Sequence, residues 1–155
     1  MKNYLFDMDG VLADWEGAFI PQYGDPSRMT EEELNKIKRK ISDSGFYLNL
    51  KPIEEGVELF KYLRTLGNVA ILTSVGKYNS ELVAEHKKKW LIENLGYLPE
   101  FYYTKSSKEK AAYVDKGVLI DDRVKAVMPF KAAGGKAILF TGSKDEATKE
   151  LNELK

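Results

Sequence analysis

The sequence predicts an α/β protein: a parallel sheet covered by helices on both faces, with a small helical insertion after the first strand. Two observations predict the sheet. Short runs that are apolar throughout, Val69-Ala70-Ile71-Leu72 and Val118-Leu119-Ile120 among them, alternate with longer stretches of helical periodicity. Runs of that kind need cover on both faces, which is the condition of a parallel sheet. A third observation predicts the insertion: residues 15–50 break the alternation, with two helical pieces and no strand between them.

The elements follow in order. Tyr4-Leu5-Phe6 is apolar, and residues 3–8 read as the first strand. Residues 11–20 read as a helix stopped by Pro21, which lacks the N–H a helix interior uses. Residues 21–29 are rich in turn formers. Thr30 with Glu33 forms a capping-box pattern that opens a helix to about Ile41. Residues 42–52 are irregular, with Gly45 and Pro52. Residues 53–66 place Val57, Phe60, Leu63 and Leu66 on one helical face, with Gly67 as the stop. Asn68 to Ser74 reads as a strand, residues 80–95 as a helix ended by Gly96, and 101–104 as a short aromatic strand. Residues 107–115 read as a helix, 118–120 as a buried strand, and 124–133 as a helix before Gly134-Gly135. Lys136 to Thr141 is the last strand, and Ser143 with Glu146 caps a final amphipathic helix. The division expected is a core of residues 1–14 and 51–155 and a cap of residues 15–50.

Composition narrows the function. The chain has 155 residues, 43% of them hydrophobic, enough for one domain with a real core. Its 24 basic and 24 acidic residues balance, so no global field favours duplex nucleic acid or a membrane surface. The absence of cysteine excludes disulfides, thiolate metal sites and a cysteine nucleophile. The single histidine excludes a multi-histidine metal site within one chain. No apolar run is long enough to span a bilayer, and no signal-peptide core follows Met1-Lys2. A cytoplasmic protein, monomer or homodimer, is expected.

The chemistry gathers at strand ends. Asp7 and Asp9 follow the first apolar run, Thr73-Ser74 end the second, and Asp121-Asp122 end the strand at 118–120. Open parallel sheets collect ligands at the carboxyl ends of their strands, near the switch point. An EF-hand loop starting at Asp7 is excluded, because its sixth and twelfth positions hold Leu12 and Ala18 instead of Gly and Glu. Two like charges about 4 Å apart repel by roughly 4 kcal/mol at an effective dielectric near 20. A converging set of Asp7, Asp9, Asp121 and Asp122 therefore needs cations, and a phosphate dianion there needs them more. Oxygen-only ligands with phosphate point to Mg²⁺, held by Asp7, the Asp9 backbone carbonyl and Asp121, with Asp122 nearby. The expected reaction has Asp7 attack phosphorus to form an aspartyl-phosphate. Asp9 protonates the leaving oxygen and then takes a proton from water. Thr73, Ser74 and a lysine from the segment Lys105 to Lys110 hold the phosphate oxygens.

These motifs in this order resemble the haloacid dehalogenase superfamily of phosphohydrolases: Asp7-x-Asp9-Gly10, Thr73 or Ser74, a lysine, then Asp121-Asp122. A narrower set is similar to the 5′(3′)-deoxyribonucleotidases: Asp7-Met8-Asp9-Gly10-Val11-Leu12-Ala13-Asp14, Gly45-Phe46-Tyr47, Leu50-x-Pro52, Thr73-Ser74, Lys87-x-x-Trp90 and Leu119-Ile120-Asp121-Asp122-Arg123. The resemblance implies a Rossmann-like three-layer core, a small helical cap and hydrolysis of nucleoside monophosphates. It places Phe46 and Tyr47 near the nucleobase and Lys77 on the substrate side, four residues after Thr73. Arg123, directly after the acidic pair, is a further candidate for substrate contact. Among Lys105, Lys108 and Lys110, the family's spacing before the acidic pair favours Lys110. Val75 stands where the family commonly has proline. In the triplet Lys87-Lys88-Lys89, which otherwise reads as a solvated face, Lys87 alone lies between Val83 and Leu91 and is placed to point inward.

Other functions compete: a phosphatase for a sugar phosphate or similar metabolite, a phosphate-accepting receiver domain, and a non-catalytic nucleotide-binding module. Receivers carry their acidic pair after the first strand and the phosphorylated aspartate after a later one, the reverse of the order here. The presence of both Asp7 and Asp9 disfavours a non-catalytic module.

Overall fold

The computed structural model describes residues 2–154. Five parallel strands form one sheet in the order β3-β2-β1-β4-β5. They are β1 (Lys2–Phe6), β2 (Gly67–Ser74), β3 (Glu100–Thr104), β4 (Val118–Asp121) and β5 (Ala137–Leu139). The helices are α1 (Trp15–Tyr23), α2 (Glu31–Ile41), α3 (Glu54–Arg64), α4 (Ser80–Leu95), α5 (Val124–Ala132) and α6 (Lys144–Glu153). The α/β class with a parallel sheet between helical layers is as the sequence predicts.

Side chains alternate across a strand, and β1 shows it directly. Tyr4 and Phe6 enter one core, with Leu59, Phe60, Ile71, Trp90 and Leu151. Leu5 enters the other, with Leu72, Leu119, Ala126 and Phe130. The chain moves outward from β1 through β2 to β3, then returns to β4 on the other side of β1. That reversal places the switch point beside β1, and the carboxyl ends of β2, β1 and β4 surround it.

Several boundaries depart from expectation. Residues 11–14 are not helical: Leu12 and Ala13 both donate from their N–H to the Met8 carbonyl, at 2.8 and 2.9 Å, and form a tight turn. Helix α1 starts after Asp14, whose carboxylate accepts from the Gly17 N–H at 2.9 Å. Pro21 does not stop α1, which runs to Tyr23 and ends at Gly24. The carbonyl that Pro21 deprives of a donor belongs to Gly17, and both residues are exposed, so the break leaves no buried group unpaired. Helix α3 ends at Arg64, and Gly67 opens β2 opposite Lys2 instead of closing the helix. Residues 108–116 form a 3₁₀ stretch, kinked at Tyr113, in place of an α-helix. The capping box at Thr30 and Glu33 forms in full.

The segment 15–50 holds α1, α2 and short 3₁₀ turns at Pro26–Arg28 and Phe46–Leu48, with no strand. It meets the core where Asn79 Nδ2 donates to Ser42 Oγ at 2.8 Å and Trp90 Nε1 to the Leu50 carbonyl at 2.7 Å. The buried Gly56 of α3 packs against the Val11 carbonyl, where a Cβ would collide. Among the described residues no helix is long and apolar enough to cross a membrane.

Candidate active site

The first strand ends at Phe6, and the Asp7 N–H donates to the Ile120 carbonyl of β4 at 3.0 Å. Asp7 is thereby pinned in the cleft between β1 and β4. The chain then turns at Gly10, whose φ of 86° suits glycine. A Cβ at Gly10 would collide with the Asp122 carboxylate, so glycine also makes room for that group. Oxygens of Asp7, Asp121 and Asp122 lie within 4.8 Å of one another.

Two lysines enter this acidic cleft from different elements. Lys110, from the 3₁₀ stretch, places Nζ 2.9 Å from Asp7 Oδ1 and 2.7 Å from Asp121 Oδ2, all three residues being buried. Lys87, from α4 and 1% exposed, donates to Asp9 Oδ2 at 3.0 Å, Thr73 Oγ1 at 2.8 Å and the Ser74 carbonyl at 2.9 Å. Its ammonium also lies 5.2 Å from the centre of the Tyr47 ring. From Tyr47 the aromatic contacts continue to Phe46 at 5.3 Å, and from Phe46 to Trp15 at 6.2 Å and Phe19 at 6.5 Å.

The electrostatics set the carboxyls apart. Burial alone would raise Asp7, but the Lys110 charge and hydrogen bond, with help from Lys87, hold it below the ordinary range. Burial pushes Asp9 up, and the Asp7 charge adds to this against the opposing pull of Lys87. Burial and the Asp7 charge push Asp121 up to about 7. Asp122 is pushed up to about 9 by burial and by the charges of Asp7 and Asp121. Two neighbouring carboxyls shifted in opposite directions are the arrangement that nucleophile and acid–base roles require.

The set fits a hard divalent cation. Four carboxylates, Asp7, Asp9, Asp121 and Asp122, face two ammonium groups, so a negative excess remains when all are ionised. Asp122 Oδ1 is buried and, among the described residues, has no hydrogen-bond partner. The donors at the acidic end are all oxygen, which suits Mg²⁺.

Comparison with known proteins places the chain in a family. Residues 3–153 match the family model described as 5′ nucleotidase, deoxy (pyrimidine), cytosolic type C protein. The chain belongs to this nucleotidase family. Similar folds include a haloacid dehalogenase-like hydrolase from Streptococcus pneumoniae, with TM-score 0.60 and 11% identity over 92% of this chain and 86% of that one. A second hydrolase from Streptococcus pneumoniae TIGR4 has TM-score 0.60 and 17% identity over 98% of this chain and all of that one. A haloacid dehalogenase superfamily hydrolase, subfamily IA, from Geobacter sulfurreducens has TM-score 0.51 and 13% identity over 90% and 86% of the two chains. The nucleotidase is a phosphoric monoester hydrolase on a haloacid dehalogenase-like core.

The nucleotidase fold brings Asp7, Asp9, Thr73, Ser74, Lys110, Asp121 and Asp122 to one cleft. Of the lysines at 105, 108 and 110, only Lys110 is buried among the carboxylates. The Asp9 side chain is engaged by Lys87 and lies outside the trio of Asp7, Asp121 and Asp122. Tyr47 adjoins Lys87, with Phe46 against it. Arg123 is exposed, and its backbone N–H donates to Asp121 Oδ1 at 3.0 Å. Lys77 is also exposed and lies over the Tyr78 ring, 5.4 Å from its centre. Lys87 is absent from the residues assigned a role by sequence. Its signals there are the Lys87-x-x-Trp90 spacing of the family resemblance and the apolar pair Val83 and Leu91, one turn to either side.

Proposed function

We propose that the protein is a Mg²⁺-dependent 5′(3′)-deoxyribonucleotidase acting on nucleoside monophosphates through an aspartyl-phosphate. The observation that carries this reading is the contrast at one cleft between Asp7, held ionised by Lys110, and Asp9, raised by burial.

Asp7 attacks phosphorus as the bond to the ester oxygen breaks, and the departing oxygen takes the proton of Asp9. Asp9, now a carboxylate, accepts a proton from the water that hydrolyses the acyl phosphate. Thr73, Ser74 and Lys110 hold phosphate oxygens during both steps. Asp7, Asp121 and Asp122, with the Asp9 backbone carbonyl, would hold Mg²⁺, whose charge offsets repulsion between nucleophile and phosphate.

The segment 15–50 acts as a cap over the nucleoside. Supporting this, its aromatics run from Trp15 and Phe19 through Phe46 to Tyr47, which adjoins the lysine bound to Asp9. Stacking tolerates every base, so base discrimination should be modest. Arg123 and Lys77, at the solvent side, are available to the rest of the substrate.

Phosphate release measured over a panel of nucleoside monophosphates and sugar phosphates, with Mg²⁺, tests the reading. Deoxynucleoside monophosphates should give the highest kcat/KM. A preference for sugar phosphates would overturn the substrate assignment, and full activity in excess chelator would overturn the metal.

A further inference from the structure

We propose that Lys87 is the positioning residue for proton transfer, fixing which oxygen of Asp9 carries the proton and which way the Thr73 hydroxyl points. The inference rests on the reading of Asp9 as the acid–base group.

A lysine ammonium has three hydrogens to donate and accepts none. Lys87 directs its donors to Asp9 Oδ2, Thr73 Oγ1 and the Ser74 carbonyl. Because Oδ2 already accepts from the ammonium, the geometry favours Oδ1 as the oxygen that carries a proton on Asp9. Among the described residues Asp9 Oδ1, which is buried, has no hydrogen-bond partner. That is the state expected of an oxygen reserved for a substrate atom, since unpaired buried polar atoms are costly. The same logic orients Thr73. Its Oγ1 accepts from Lys87 and makes no other side-chain hydrogen bond among the described residues, so its own hydrogen is free to donate to a phosphate oxygen.

The helix that carries Lys87 is itself locked. One turn on, Trp90 is buried and its Nε1 donates to the Leu50 carbonyl at 2.7 Å. The Lys87-x-x-Trp90 spacing places both groups on the inward face of α4. The ammonium thus joins the loop after β1 to the end of β2, coupling the acid–base group to the phosphate-binding hydroxyl without touching substrate.

In the proposed step the P–O ester bond breaks as the Asp7–phosphorus bond forms, and the proton on Asp9 Oδ1 moves to the leaving oxygen. An alkoxide leaving group needs that proton, whereas 4-nitrophenolate departs without it. The test measures kcat/KM, which ends at the first irreversible step, for a deoxynucleoside monophosphate and for 4-nitrophenyl phosphate. Lys87→Met should lower the nucleotide value by about 100-fold, the scale of a lost general acid, and the aryl value by less than about 10-fold. Equal losses on both substrates, or no loss, would overturn the proposal.

Asp9→Asn separates this failure from a failure of the underlying reading. If Asp9→Asn shows no leaving-group split, Asp9 is not the acid and both ideas fall. If it shows the split and Lys87→Met does not, only the role of Lys87 falls. The double variant Asp9→Asn/Lys87→Met carries neither buried charge and so avoids an unpaired ion. It should be no worse on the nucleotide than Asp9→Asn alone, because coupled groups are non-additive. A further loss of the full single-variant size would also contradict the proposal.

Discussion

Lys110 bridges two buried carboxylates, Asp7 and Asp121, and each of the three depends on the others for its charge. Removing one partner of a buried ion pair typically costs about 3–5 kcal/mol. Lys110→Met should therefore unfold at lower temperature as well as lose activity, and thermal denaturation should show the deficit shrinking toward acid, where the stranded carboxyls protonate. An unchanged Tm at neutral pH would argue against the bridge. At this scale much of the site is legible in the sequence. Asp7, Asp9, Thr73, Ser74, Asp121 and Asp122 all follow apolar runs, and strand ends converge by geometry. Lys87 is not legible in the same way. It sits in a run of three lysines, where Val83 and Leu91 mark it as the inward one, but its partners Asp9 and Thr73 come from other elements and only the fold brings them together.

Among the elements, α2 is the one whose start is written most clearly. The Thr30 side chain accepts from the Glu33 N–H at 3.1 Å, and Glu33 Oε1 returns to the Thr30 N–H at 3.2 Å. Thr30→Ala should cost about 1 kcal/mol, the usual worth of such a cap, readable as a lowered denaturant midpoint. Its kcat on a minimal aryl phosphate should be unchanged, because Thr30 touches none of the cleft groups; a large fall in kcat would give the cap's N-terminus an unexpected part in the chemistry. The elements that sequence misplaces are those set by context. Pro21 reads as a stop, yet the exposed turn at Gly17 tolerates it. The stretch at 108–116 has helical spacing, yet it adopts 3₁₀ geometry while placing Lys110 among the carboxylates. Propensity cannot register a tertiary demand of that kind.

For the whole molecule, the cleft ties stability to pH and to metal. Asp121 and Asp122, raised to about 7 and about 9 from an ordinary value of 3.8, hold protons in the folded state that the unfolded chain has already released. Folding therefore takes up protons in that interval, and the stability they contribute is greatest in acid and is lost as pH rises through the raised values. Asp7 acts with the opposite sign, but only below the ordinary carboxylate range, because its value is lowered. In excess chelator Tm should fall between about pH 5 and pH 9. With saturating Mg²⁺ the fall should be smaller, because the cation binds the deprotonated carboxylates and stabilises by mass action. A Tm that rises with pH in chelator, or that ignores Mg²⁺ at pH 8, would contradict the arrangement.

The central claim is that Asp7 becomes phosphorylated. Acid quenching within one turnover, after mixing with a deoxynucleoside monophosphate labelled with ³²P in the phosphate, tests it most directly. Acyl phosphates survive the quench long enough for peptide mapping. The claim predicts protein-bound label that appears and decays with turnover, maps to the peptide containing Asp7, and is absent from Asp7→Asn, which should be inactive yet folded. Turnover at the normal rate with no protein-bound phosphate, or label on a peptide without Asp7, would contradict it.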